Sequence, residues 1–180
     1  TPAVALPGVR AVVVPHHWPA GHLILGALRA LAASGDWDRV VLLGPDHGLV
    51  GRQAAFTSAR SWSTPLGTVE SDEMCVARLV ASGVVADQAG DLGREHGVAG
   101  LVPAIAEVLP GARIVPVAVR GDASRREVAR LAAVIAPLVD DRTVVVVAAD
   151  FAHDVRSSEA RANDGESIAA LSALDADRGR

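Results

Sequence analysis

Apolar residues along the chain gather into short aliphatic runs separated by segments with helical spacing. The strongest run is Arg39-Val40-Val41-Leu42-Leu43-Gly44-Pro45-Asp46-His47. Its unbroken β-branched and aliphatic residues predict a strand buried on both faces. It is expected to stop at Gly44-Pro45, which strand interiors tolerate poorly. Two further runs end the same way: residues 9–14 lead into Pro15-His16-His17, and residues 143–149 lead into Asp150-Phe151-Ala152-His153. In an open parallel sheet the carboxyl ends of the strands share one edge, where such folds hold their ligands. These three polar strand ends are therefore expected to converge.

Between the strands, residues 21–31 repeat apolar positions at three and four, so strand, turn and helix form a first βα unit with the usual right-handed crossover. Residues 48–65 break this rhythm and read as an irregular excursion with a short strand near 54–57. A helix is predicted over 72–81, capped by Ser71, with Met74, Val76, Leu79 and Val80 on its buried side. A brief strand near Val84-Val85 and a polar loop over 87–94 lead to a helix over 98–109, in which Pro103 predicts a late start or a kink. Strand 111–119, amphipathic helix 124–139 and strand 143–149 continue the alternation, and a helix over 160–174 closes it. The fold class expected is α/β, a single-domain three-layer sandwich with a mostly parallel central sheet spanning 1–180.

Composition narrows the function. No run of about 18 apolar residues predicts a membrane span. A net charge of −4 with no clustered basic face argues against a nucleic-acid surface, although all 17 basic residues are arginine. One cysteine, Cys75, excludes an internal disulfide and a cysteine-based zinc cluster. With no signal-like leader, a cytoplasmic location is the default expectation.

Five of the six histidines stand next to predicted strand or helix ends, and only His22 falls within a helix pattern. Gathering imidazoles on one edge favours metal binding or acid–base chemistry over a set of unrelated surface histidines. His16 and His47 are the candidate metal ligands. His17 is expected to face away from His16, because neighbours on extended backbone alternate sides. Asp150 and His153, three apart, are candidates for a carboxylate-tuned acid or base, although an Asp capping the turn is the simpler reading. Glu95-His96 opens a helix, where Glu95 complements the dipole and His96 reaches toward the site as a third catalytic candidate. Two histidines and a carboxylate would make the facial triad of non-haem iron(II), with Glu95, Asp150 or His153 open as the third ligand. Cys75 lies on the apolar side of its helix and reads as core.

Taken in order, Pro15-His16, Gly44-Pro45-Asp46-His47, Trp62-Ser63-Thr64-Pro65-Leu66-Gly67, Glu95-His96, Ile114-Val115-Pro116-Val117, Ala149-Asp150-Phe151-Ala152-His153, Asp164 and Leu174-Asp175 resemble the Memo family. Its prokaryotic members are called AmmeMemoRadiSam system protein B. The resemblance implies a fold like that of class III extradiol dioxygenases. His16 and His47 match the family's metal-ligand positions, and Asp150 and His153 line the same pocket. It also implies an iron(II) or copper cofactor. Three departures stand out: His-Ala-Gly is here His16-His17-Trp18, Glu-His-Ser is Glu95-His96-Gly97, and the family's Cys-Gly thiolate motif belongs to a C-terminal segment expected beyond Arg180. The expected function is a redox or dioxygenase-like enzyme acting on a small molecule. The alternative is a non-catalytic module that recognises a peptide or partner protein through the same pocket.

Overall fold

The computed structural model describes residues 5–152 and 154–173. In chain order the elements are β1 (Ala11–Val14), α1 (Gly21–Ala32), β2 (Arg39–Asp46), β3 (Ala55–Thr57), β4 (Trp62–Thr64), β5 (Gly67–Val69), α2 (Glu73–Ala81), β6 (Val85–Asp87), α3 (Ala89–Leu92), α4 (His96–Ala99), α5 (Val102–Val108), β7 (Arg113–Arg120), α6 (Arg125–Ile135), β8 (Thr143–Ala148) and α7 (Ser157–Ala173). The chain divides into two compact units, Thr1–Ala149 and Asp150–Arg180.

The first unit is built on a six-stranded sheet of order β1-β8-β2-β7-β3-β6. β1, β8, β2 and β7 run parallel, whereas β3 opposes β7 and pairs in parallel with β6. The α/β class with a mostly parallel central sheet is therefore observed. The connection through α1 skips a position, since β8 lies between β1 and β2.

Strand alternation sends Val40 and Leu42 to one face and Val41 to the other, so each face of β2 feeds its own core. On one side Val40, Leu42, Val144 and Val146 meet Ile24, Leu28 and Leu31 of α1 together with Ile105 of α5. On the other, Val41, Val115 and Val117 meet Val76 and Leu79 of α2 and Leu131 and Ile135 of α6. Helix, sheet and helix make three layers.

Several local expectations change. β2 does not stop at Gly44-Pro45 but continues to Asp46, paired with β7 throughout. Its ladder with β8 ends at Leu43, so Pro45, which has no N–H, sits where that side of the strand has no ladder to complete. The excursion after His47 contains, besides β3, an antiparallel hairpin of β4 and β5, turned through Gly67 at φ +121°. The polar loop 87–94 holds a short helix, α3. Pro103 stands in the first turn of α5, where no N–H is required, so α4 and α5 are separate helices.

For α2 the cap is Asp72, not Ser71, and Met74 is exposed rather than buried. Asp72 accepts the Cys75 N–H at 3.0 Å, which sets the helix start one residue later, and the buried stripe runs through Cys75, Val76 and Leu79, leaving Met74 outside it. Cys75 is buried in the core, as read. The other Asp72 oxygen receives Arg39 Nε at 2.8 Å, and Arg39 also donates to the Leu138 carbonyl, Asp140 and Thr143. Burial pushes the Asp72 carboxyl up, but the Arg39 guanidinium and the Cys75 N–H outweigh it and hold it below the ordinary carboxylate range. Asp72→Ala removes a cap and half of a mostly buried ion pair, and is expected to cost about 2–3 kcal/mol in urea unfolding. Asp72→Asn, which keeps a capping oxygen, should recover about 1 kcal/mol of that loss.

In the second unit the Ala152 N–H donates to Asp164 of α7 at 2.8 Å. Among the described residues no helix is long and apolar enough to cross a membrane.

Candidate metal centre

Three segments of the first unit deliver the candidate side chains. β1 ends at Val14, and Pro15-His16-His17 leads into a single 3-10 turn over Trp18–Ala20. β2 ends at Asp46, whose buried carboxylate accepts the Val50 N–H at 3.2 Å and the Gly51 N–H at 2.9 Å. That clamp closes the loop after His47 and holds Leu49 at φ +50°. The third segment is the start of α4, where Glu95 is the N-cap and accepts the Gly97 N–H at 2.9 Å.

Backbone proximity brings the second and third segments together. A Cβ on Gly44 would lie 2.7 Å from the Gly97 carbonyl oxygen and 2.8 Å from Val98 Cγ2. A Cβ on Gly97 would lie 2.7 Å from Pro45 Cδ. Only glycine at both positions lets α4 dock this closely against the end of β2. The first segment is tied to the third by Trp18, whose indole N–H donates to the Gly100 carbonyl at 3.1 Å.

These contacts gather four imidazoles. The His16 ring centre lies 4.6 Å from that of His17, 4.9 Å from His47 and 5.5 Å from His96. His17 and His96 are 5.6 Å apart, and His47 stacks on His96 at 4.0 Å. Ligand atoms of His16, His17 and His96 lie within 4.8 Å of one another, as do those of His47, Glu95 and His96. His16 is buried, whereas His17, His47 and His96 reach the surface. Beside them a cleft of about 270 Å³ is walled by His47, His96, Arg94 and Asp91. A larger cavity of about 470 Å³, against Leu131 and Ile135 of α6, is lined by aliphatic residues and carries no group suited to ligation.

Glu95 organises the cluster electrostatically. One of its oxygens lies 2.6 Å from His47 Nδ1 and also accepts the Gly97 N–H, while the other accepts the His47 backbone N–H at 2.9 Å. Burial pushes this carboxyl up, but the Gly97 N–H, the His47 ring and the His47 N–H together bring it below its ordinary value. An ionised carboxylate accepts, so the His47 proton sits on Nδ1 and the Nε2 lone pair is left for a ligand. Carboxylates behind metal-binding histidines do the same. His96 Nδ1 is 3.6 Å from Glu95, outside hydrogen-bond reach.

His16, His47 and His96 are thus brought to one place. His17 joins them, against the expectation that it would face away: the pleat ends at Val14, so the alternation of strand neighbours no longer governs residues 16 and 17. Asp150 opens the second unit, and His153 lies outside the described residues. His22 is exposed on α1. The part played by Glu95 has a sequence signal, an acidic residue directly before a helix that begins with histidine, but only the structure shows it reaching His47.

Comparison with known proteins places the sequence in a family. The sequence model of the Memo-like protein family matches residues 3–179. A MEMO1 family protein of Methanopyrus kandleri is 35% identical over 179 residues, covering 94% of this chain and 61% of the relative. One from Caldivirga maquilingensis is 36% identical over 159 residues, covering 81% of this chain and 53% of the relative. The chain therefore spans between about half and three-fifths of the length of these relatives. With a match along nearly its whole sequence and an α/β sheet that carries a histidine cluster at its edge, the chain belongs to the Memo-like protein family.

Proposed function

We propose that the histidine cluster is the metal centre of a dioxygenase-like or other redox enzyme that takes iron(II) or copper and acts on a small molecule in the adjoining cleft. The observation that carries this reading is the pair of ligand groups that share His96, one with His16 and His17 and one with His47 and Glu95, with Glu95 fixing the His47 tautomer from behind. Neutral imidazoles suit first-row transition metals, and a buried His16 beside more exposed His17 and His96 leaves one side of the centre open. A bound ion would supply Lewis acidity and a one-electron couple. The chain's own residues do the rest: Glu95 keeps the His47 proton away from the ligand side, and Arg94 puts a cation on the wall of the cleft.

The test is anaerobic loading with iron(II) or copper, followed by desalting and elemental analysis. One ion per chain is expected in the wild type, with loss from His47→Ala at unchanged far-UV circular dichroism. No retained metal in the wild type overturns the reading and leaves a metal-free binding module in its place.

A further inference from the structure

We infer that His17 is a protein ligand of this same centre, so that the donor set contributed by the first unit is imidazole-only and selects copper(II) or zinc over iron(II). The inference rests on the metal-site reading above and specifies its ligands.

Ring spacing comes first. Three imidazoles sharing one ion through metal–nitrogen bonds of about 2.0–2.1 Å hold their ring centres roughly 5 Å apart. The His16, His17 and His96 centres are separated by 4.6, 5.5 and 5.6 Å, all three close to that spacing. His47 and His96, stacked at 4.0 Å with planes only 22° apart, are closer together than a tetrahedral pair. Moreover His96 belongs both to the group with His16 and His17 and to the group with His47 and Glu95, so His17 stands in a ligand group that overlaps the one around His47.

The second argument is the state of the carboxylate. An iron(II) facial triad needs an oxygen ligand beside two histidines. Among the described residues that complete a ligand group here, Glu95 is the one carboxylate, and its oxygens already receive the Gly97 N–H, the His47 N–H and the His47 ring. Three of the roughly four lone-pair sites of Glu95 are thus occupied, so coordination through it would compete with the N-cap of α4 and with the hold on His47. What the centre offers without rearrangement is imidazole nitrogen, the donor suited to copper and zinc, and copper(II) ranks above iron(II) for nitrogen sites in general.

The test loads the whole 180-residue chain with copper(II), and separately with zinc and iron(II). It measures affinity by chelator competition and counts equatorial imidazoles on copper by pulsed EPR. His17 is exposed, so His17→Ala is expected to fold like the wild type. The expected result is copper and zinc binding tighter than iron(II), and one imidazole fewer in His17→Ala. Copper affinity should also fall by more than the roughly 100-fold that loss of a supporting group can cost at most. Unchanged affinity and an unchanged imidazole count in His17→Ala overturn the inference while leaving the metal-site reading intact. Failure of the wild type to bind any of the three ions overturns both.

Discussion

Glu95→Ala is expected to lower stability by about 3 kcal/mol and to weaken metal binding by a further 10–100-fold in whatever fraction stays folded. The carboxylate is buried and is the acceptor for three donors: the Gly97 N–H that starts α4, the His47 N–H at the end of β2, and the His47 ring. Removing it strands two backbone donors from different segments and frees the imidazole to rotate or change tautomer. Urea unfolding reads the first effect and chelator competition the second. Glu95→Gln keeps the volume and one acceptor, so it should fold better than Glu95→Ala but bind metal less tightly than the wild type.

The same carboxylate predicts a pH dependence. Because its folded value lies below the ordinary 4.5, folding favours the ionised form. The stability Glu95 contributes is therefore fully present above about pH 4.5 and is lost as pH falls through the lower folded value. The stability gap between the wild type and Glu95→Gln should be flat from neutral pH down to that point and shrink beneath it. A gap that widens on acidification would contradict the assignment.

Gly44→Ala should be the other severe change, costing about 3 kcal/mol, the upper end of what overpacking causes, and abolishing stoichiometric metal. The added methyl would meet the Gly97 carbonyl at 2.7 Å and Val98 Cγ2 at 2.8 Å, and neither the backbone nor the packed Val98 can step aside cheaply. Relief comes from sliding α4 off the end of β2, which carries Glu95 and His96 away from His47. Gly26→Ala, on α1 with nothing within 4 Å of the added Cβ, is the control and should be neutral or slightly stabilising. If Gly44→Ala matches that control in thermal unfolding and retains metal, the close docking of α4 does not hold the centre together.

The sequence by itself determined the α/β class, the strands around Val12, Val41, Val115 and Val146, and the amphipathic helices between them. It also placed His16, His47 and His96 at element ends. All of this follows from short-range regularities: a period of two or of 3.6, aliphatic runs, and the residues that stop them. The limits of α2 and β2 were already beyond that range. Asp72 caps its helix while engaging Arg39, from a distant strand, and Pro45 stays in β2 because β8 has already left it. Strand order, which sets β8 between β1 and β2, was likewise decided by the tertiary structure.

So was the make-up of the centre. His17 turns in beside His16 because the chain leaves the pleat, Glu95 reaches across to His47, and paired glycines at 44 and 97 set how closely two distant segments meet. Local preference acts over a few residues, whereas a shared cavity depends on where segments some 30 to 80 residues apart come to lie, and packing alone settles that.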